Sequence, residues 1–280
     1  MKLITAVGEL PAARGRRGVV MTMGALHEGH VALVRAAREA CDEVVVTIFV
    51  NPLQFNEPAD LERYPRNLDA DLALLEPLGV DLVFAPTVAD VYPAGEPVVT
   101  VASGRLGEIF EGAARPGHFD GMLTVVLKLL NLTRPDVAFF GQKDAQQLIA
   151  VRRMVADFNV GVEVRGVPTV RAHDGLALSS RNALLPQSQR ADALVLHGVL
   201  VAAARAYQGG VALEDVLAAG RSQLAQAPAI AVDYFAALNP NTGEAATDGD
   251  VILAGAVRVG DVRLIDNVPA SISADGSVSA

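Results

Sequence analysis

Gly18-Val19-Val20-Met21-Thr22, followed by Glu28 to Ala40 and then by Glu43-Val44-Val45-Val46-Thr47-Ile48-Phe49-Val50, is the stretch on which the fold turns. Its first and last segments are short β-branched runs, and the middle one sets Val31, Val34 and Ala37 at helical spacing. An apolar run without alternation suits a strand buried on both faces, as in a parallel sheet. The pattern continues outward. Asn67 to Leu78 reads as a helix before the strand candidate Val80 to Ala85. Met122 to Leu132 reads as a helix that stops ahead of Pro135. Asp136 to Phe140 and Ala145 to Phe158 repeat strand and helix. Such alternation implies right-handed crossovers and an α/β fold with a doubly wound parallel sheet. Beyond residue 172 the texture changes. Ala-rich helical patterns at Pro186 to Tyr207 and Leu213 to Ala227 precede strand candidates at Ala231 to Leu238, Val251 to Val259 and Val262 to Ile265. The expected organisation is an N-terminal domain over 1–172 and a smaller C-terminal α+β domain over 173–280.

Composition narrows the function classes. Of 280 residues, 51% are hydrophobic and 20% charged, a balance that argues for a globular chain. With 23 Lys+Arg against 32 Asp+Glu, the formal charge is −9. That lacks the basic excess that drives binding to nucleic-acid phosphates or anionic lipids, so neither partner is expected. A single cysteine, Cys41, rules out an intrachain disulfide framework and a multi-cysteine zinc site, and fits a reducing compartment. No 18-residue apolar run is present, and the charges at Glu9, Arg14, Arg16 and Arg17 follow the early apolar residues, the wrong order for a signal peptide. The expected location is the cytoplasm.

Three unusual polar segments directly follow strand candidates: Met23 to His30, Asn51 to Phe55, and Gly141 to Asp144. Ligands of doubly wound sheets bind beyond the carboxyl ends of the strands, so these segments point to one crevice. In Met23-Gly24-Ala25-Leu26-His27-Glu28-Gly29-His30, the glycines allow close backbone approach, and the helix start is expected to offer free N–H groups and positive dipole. His27 and His30, at i and i+3, share a face and suit phosphate oxygens; a structural pair or a metal pair are the plainer alternatives, the metal lacking a third ligand. Gly-x-Gly-x-x-Gly is absent, so this is no dinucleotide fingerprint. Lys143 offers a point charge and Asp144 a cap, a ribose contact or a contact to a metal-bound water, although a Lys-Asp pair is usually a solvated helix end. Leu178-Ser179-Ser180-Arg181-Asn182 offers hydroxyls and a guanidinium suited to a triphosphate, or simply an N-cap. Neutral amides at Asn51, Gln54, Gln146 and Gln147 suit a hydroxy acid, with helix surface the alternative for the last two. The Gly-flanked His118 reads equally as a phosphate-closing loop, with Arg115, or as a turn before a helix.

Together these segments resemble the pantothenate synthetase (pantoate–β-alanine ligase) family over nearly the whole chain. The resemblance rests on Thr22 to His30, Ile48 to Phe55, Tyr64-Pro65-Arg66, Pro116 to Phe119, Thr124 to Val126, Lys143 to Gln147 and Asp174 to Asn182, in that order. His-x-Gly-His alone would indicate only the wider superfamily. The resemblance implies a Rossmann-like sheet of the nucleotidyltransferase superfamily type and a homodimer; the Ser179-Ser180-Arg181 loop at the domain junction leads us to expect that the C-terminal domain forms one wall of the site and closes over it. It implies that D-pantoate and β-alanine are joined through a pantoyl adenylate while ATP becomes AMP and pyrophosphate, with Mg²⁺ carried mainly on the ATP phosphates and no committed protein ligand to metal. It implies catalytic roles for His30, His27 and Lys143. ATP contacts are implied at Met23, Gly24, Ala25, Leu26, His27, Glu28, Gly29, His30, Gly141, Gln142, Lys143, Asp144, Val170, Leu178, Ser179, Ser180 and Arg181. Gln54 and Gln147 match pantoate-holding positions, Gln54 also lies near β-alanine, and Asn51 and His118 rank second.

The chain departs from the family pattern at Met21 (usually Pro), Gln142 (usually Glu), Leu178 (usually Met) and Ala172-His173 (usually Glu-Ala). Ala70 interrupts the acidic cluster Asp69-Ala70-Asp71 that holds a metal in some relatives. Two other classes compete with an amide ligase: a nucleotidyltransferase with another acceptor, which leaves the Gln54 and Gln147 amides unexplained, and a nucleotide sensor without turnover.

Overall fold

Val44, Val45 and Val46 have no solvent exposure at all, and neither do Val19 and Val20. Side chains pointing to both faces are thus covered, as the unbroken apolar runs require. The structure, a computed structural model, describes residues 1–55, 61–62 and 64–272. Its first sheet contains β1 (Lys2–Ile4), β2 (Arg17–Thr22), β3 (Glu43–Ile48), β4 (Leu82–Phe84), β5 (Val137–Gly141) and β6 (Glu163–Val167). Every pairing is parallel, and the order is β1-β4-β3-β2-β5-β6. The chain winds from β2 outward through β3 to β4, then returns to place β5 on the other side of β2. The order therefore reverses between β2 and β5, the switch point beyond which ligands of such sheets sit.

Helix α1 (Glu28–Ala40) buries Val31, Leu33, Val34 and Ala37 and packs them with Val20, Val44, Val46, Val83, Val137 and Phe139. Helix α2 (Leu68–Leu75) is shorter than the periodicity of Asn67 to Leu78 suggests. Asn67 is its N-cap, accepting from the Ala70 N–H at 3.1 Å, and the last turn, Glu76–Leu78, is 3₁₀. Pro77 has no N–H to continue the α ladder there. Helix α3 (His118–Thr133) starts four residues before the expected Met122, at Gly117 in the left-handed region. Helix α4 (Ala145–Asp157) follows β5. Strands β1 and β6 are additions to the sequence reading. Each is an edge strand with one partner; β1 has three residues, and β6 contains Glu163 and Arg165, so neither carries an apolar run.

The described chain forms two compact units, one of Met1–Gln142 with Ala150–Val170, the other of Lys143–Ile149 with Arg171 onward. In the second unit, β7 (Ile230–Leu238), β8 (Val251–Val259) and β9 (Val262–Ala270) form an antiparallel meander. Helices α5 (Arg190–Gln208) and α6 (Leu213–Ala225) supply Leu196, Leu200, Val216 and Leu224 to a core shared with Phe235, Leu253 and Val257. A 3₁₀ turn at Gln187–Gln189 precedes α5, and β9 runs five residues past the expected Ile265. Among the described residues no helix is long and apolar enough to cross a membrane.

One buried charge braces the first sheet. Arg17, 2% exposed at the start of β2, places Nε 2.6 Å from Glu43 Oε2 on β3. Its other guanidinium nitrogens donate to the carbonyls of Thr133 (2.7 Å) and Pro11 (2.9 Å). Because every arm is partnered, the desolvation of this cation is offset locally, whereas removing it strands the Glu43 carboxylate. We expect Arg17→Met to lower unfolding free energy by about 3–5 kcal/mol, read from urea midpoints. A loss below about 1 kcal/mol would show that the pair relaxes into water.

Candidate active site

The loop from β2 to α1 is shaped by four hydrogen bonds. Thr22 donates its hydroxyl to the Thr47 carbonyl at 2.8 Å and accepts from the Gly24 N–H at 3.2 Å. Gly24 and Ala25 then take φ of +84° and +52°. This turn aims the N–H groups of Ala25 and Leu26 at Asp71 of α2, which accepts them on Oδ2 and Oδ1 at 3.1 and 2.8 Å. Asp71 is only 4% exposed. A Cβ on residue 24 would sit 2.9 Å from Asp71 Oδ2, so both the space and the left-handed φ demand glycine.

His27 is the N-cap of α1, and its Nδ1 accepts from the Gly29 N–H at 3.1 Å. In return, His30 Nδ1 accepts from the His27 N–H at 3.2 Å. The result is a capping box built from imidazoles, with ring centroids 4.3 Å apart. Gly29 is required because a Cβ there would lie 2.8 Å from His27 Cε1. A backbone N–H can only donate, so each Nδ1 carries a lone pair and each ring holds its proton on Nε2. The rings are therefore neutral donors while these caps are made. This corrects one expectation: the start of α1 does not offer free N–H groups at Gly29 or His30, since His27 Nδ1 takes the first and the His27 carbonyl takes the second at 2.7 Å. Met23, Ala25, Leu26, His27, Gly29 and His30 are half-buried, and Glu28 is exposed.

After β3, Asn51, Gln54 and His118 come together as a buried polar cluster. Asn51 Nδ2 donates to Gln54 Oε1 (3.3 Å) and the Gly121 carbonyl (3.0 Å), and Gln54 Nε2 donates to Met23 Sδ (2.8 Å). His118 Nδ1 lies 2.9 Å from the Gln54 carbonyl, and its Nε2 lies 2.9 Å from Arg115 Nη1. Arg115 can only donate, so His118 Nε2 accepts and Nδ1–H donates. His118 thus belongs to α3 and holds the Gln54 backbone. Tyr92 completes the cluster, donating its hydroxyl to Asn51 Oδ1 at 2.9 Å. Burial pushes the Tyr92 phenol up to about 12, so it stays a donor at any working pH.

Gly141 ends β5, and the exposed Gln142 extends the β5–β6 pairing through its N–H to the Val167 carbonyl at 2.8 Å; Val170 closes the first unit, half-buried. In the second unit, Lys143 Nζ is 4.0 Å from Asp144 Oδ1, a carboxylate left 47% exposed. The Lys143 carbonyl accepts from Asn267 Nδ2 of β9 at 2.8 Å. Gln146 is buried and Gln147 half-buried, so neither is plain helix surface. Ser179 caps a 3₁₀ turn over Ser180–Leu184 by accepting from the Arg181 N–H at 3.2 Å; Leu178, Ser179 and Ser180 are half-buried and Arg181 is exposed. Before that turn, Arg171 grips Asp266 with two bonds of 2.7 and 2.9 Å, and His197 Nδ1 joins the same carboxylate at 3.1 Å.

In the sequence Asp71 stands out only as part of an interrupted acidic cluster, His197 gives no signal above background, and nothing singles out Tyr92, Asn267, Arg171 or Asp266. Asp71 carried a usable signal, since it lies four residues before the buried Leu75 and so on the inner face of α2. The others are isolated polar residues whose partners lie far along the chain. Among the described residues, no group of three or more His, Cys, Asp or Glu is placed to hold a metal.

Comparison with known proteins gives a consistent picture. The family model described as pantoate-beta-alanine ligase matches residues 2–269. A pantothenate synthetase of Salinispora arenicola is 53% identical over 277 residues, covering 97% of this chain and 98% of the relative. The crystal structure of pantothenate synthetase from Thermus thermophilus superposes with a TM-score of 0.91 at 46% identity, covering 96% of this chain and 99% of that one. A pantoate-beta-alanine ligase from Francisella tularensis, crystallised with beta-gamma ATP and beta-alanine, superposes with a TM-score of 0.78 at 34% identity, covering 96% and 97%.

Asp71→Asn replaces one of two acceptors by a donor facing a backbone N–H. We expect a loss of roughly 1–3 kcal/mol in stability, with faster hydrogen exchange at the Ala25 and Leu26 amides. Unchanged exchange at both amides would mean that the carboxylate does not hold the loop.

Proposed function

The chain belongs to the pantoate–β-alanine ligase family, and from that premise we propose how its own residues carry the family's reaction. The protein is an ATP-dependent ligase that condenses D-pantoate with β-alanine to pantothenate. In the first step a pantoate carboxylate oxygen attacks the α-phosphorus of ATP; the new acyl–phosphate bond forms as the bond to the β-phosphate oxygen breaks, and pyrophosphate leaves. In the second, the β-alanine amine attacks the acyl carbon, the carbon–oxygen bond to AMP breaks, and the amine loses a proton as the amide forms.

The obstacle is repulsion between two anions in a chain of formal charge −9. The observation that carries the assignment is the imidazole capping box at the switch point of the sheet. Its locked tautomers suit His27 and His30 to donate Nε2–H to phosphate oxygens whose charge grows in the transition state. Lys143 and Arg181 supply full positive charge, and Met23 to His30, Gly141 to Asp144, Val170 and Leu178 to Arg181 are the ATP contacts of this proposal. Gln54 and Gln147 hold pantoate, Gln54 also serves β-alanine, and Asn51 and His118 support Gln54. Mg²⁺ would be carried on the triphosphate, where it would neutralise part of the charge. No protein ligand to the metal is part of this proposal; Asp71 accepts the Ala25 and Leu26 N–H groups. The adenylate is a reactive mixed anhydride, so the site must exclude water until the amine arrives. A division into domains at 172/173, closure of the second over bound nucleotide, a homodimer and a cytoplasmic location complete the proposal; the change of sequence texture supports the first, the Ser179-Ser180-Arg181 loop at the junction the second, the family resemblance the third and the lone cysteine the last.

Adding pantoate and β-alanine in turn to enzyme and ATP tests the chemistry. AMP and pyrophosphate are expected only with pantoate, and pantothenate only once β-alanine is present; ADP with phosphate would contradict the adenylate. His27→Ala or His30→Ala should slow adenylate formation by roughly 10²–10³ if each acts as an oxyanion-type donor. A change confined to folded yield would assign them to structure alone. Lys143→Ala should chiefly raise the ATP requirement, and Gln147→Ala the pantoate requirement.

A further inference from the structure

The Gln54 amide has two chemically opposite ends, and its recognition of substrate depends on which end is presented. The surrounding bonds leave one answer. Asn51 Oδ1 accepts from the Leu53 N–H at 3.3 Å, and Asn51 Nδ2 donates to the Gly121 carbonyl at 3.0 Å. Backbone groups cannot exchange roles, so the Asn51 amide cannot turn over without facing donor to donor and acceptor to acceptor. Its Nδ2 therefore also meets Gln54 Oε1, which accepts, and the Nε2 end of Gln54 is directed at Met23 Sδ. A thioether is a weak acceptor, so that contact is readily exchanged for a hydroxyl or carboxylate oxygen.

The Leu53 contact is long, and the shortest bond to Asn51 is the 2.9 Å one from the Tyr92 hydroxyl. Tyr92 is 6% exposed and otherwise held by its ring, 6.1 Å from the Phe49 ring and with Lys128 Nζ 5.6 Å over its centroid. Nothing in the proposed reaction uses it. We propose that Tyr92 is a positioning residue, whose hydroxyl locks the Asn51 amide and through it makes Gln54 present N–H donors to an oxygen of the hydroxy-acid substrate. The inference rests on the reading of Gln54 as a pantoate contact and extends it. It makes this part of the site selective for an acceptor, so that an analogue with an amine in place of the recognised oxygen is rejected.

Tyr92→Phe keeps the ring with its Phe49 and Lys128 neighbours and removes only the hydroxyl, so it isolates the lock. The test is pantoate-dependent exchange between pyrophosphate and ATP, which reads adenylation without β-alanine. For Tyr92→Phe the pantoate KM should rise by roughly three- to tenfold, the worth of one hydrogen bond, with kcat and the ATP KM within about twofold of wild type. In a Gln54→Ala background the same substitution should add no further rise, since the two act in series. An unchanged pantoate KM overturns the proposal, as does an equal rise in the Gln54→Ala background or a loss shared by the ATP KM. If the wild-type protein shows no pantoate-dependent exchange, the functional reading itself fails, which is a different result from a normal wild type with an indifferent Tyr92→Phe.

Discussion

Two backbone N–H groups turned inward at Ala25 and Leu26, and the Asp71 carboxylate that receives them, set the terms for the rest of the candidate site. The bonds hold a loop with two successive residues at positive φ, a conformation that Ala25 adopts against its preference. They also cost the site something. A loop of this kind commonly cradles anions with its own amides, but here those amides are engaged from below by a carboxylate. In the proposed reaction the burden of meeting phosphate charge therefore passes to side chains, for which the imidazole capping box is the candidate. Each Nδ1 satisfies a helix-end donor, and the same bond fixes the proton on Nε2. The capping bonds use one edge of each ring and leave the Nε2 edge for the proposed chemistry.

A similar economy runs through the Asn51–Gln54 cluster. Its members are buried, so each polar atom needs a partner, and the partners are oriented by main-chain groups of Leu53 and Gly121. A network anchored to backbone in this way has one low-energy arrangement of its amides. Burial, which would be a penalty for lone amides, here converts two flexible side chains into fixed donors and acceptors. At the opposite end of the strands, Arg17 solves the complementary problem by matching a buried cation to a carboxylate and two carbonyls. The sheet is braced at one end by a buried ion pair, while at the other end the Asn51–Gln54 cluster is built from neutral amides, an imidazole and a phenol.

Much of this was legible in the sequence where local pattern and global fold agree. The runs around Val19 and Val45 are apolar because both sheet faces are covered, and the strand candidates after the Ala-rich helices pointed to the second, smaller sheet. The His27/His30 spacing announced a shared face at a helix start. What stayed hidden depends on partners distant in sequence. Edge strands β1 and β6 are defined by pairing, not by hydrophobicity. Asp71 looked like part of an interrupted acidic cluster; its spacing from Leu75 puts it on the inner face of α2, but its partners lie in a loop 46 residues before it. Tyr92 lies 41 residues from Asn51, and the Asn267–Lys143 contact spans 124. The free N–H groups expected at the helix start were misjudged because an imidazole acceptor is an uncommon cap, and nothing in the spacing reveals it.

The central claim is that His27 and His30 meet ATP as neutral rings with hydrogen on Nε2. Nitrogen NMR of the enzyme labelled with ¹⁵N in histidine, taken without and with ATP near neutral pH, observes this directly. For both residues the account predicts a bare Nδ1 and a protonated Nε2 in the two states. Finding either ring as an imidazolium, or with its proton on Nδ1, would contradict it.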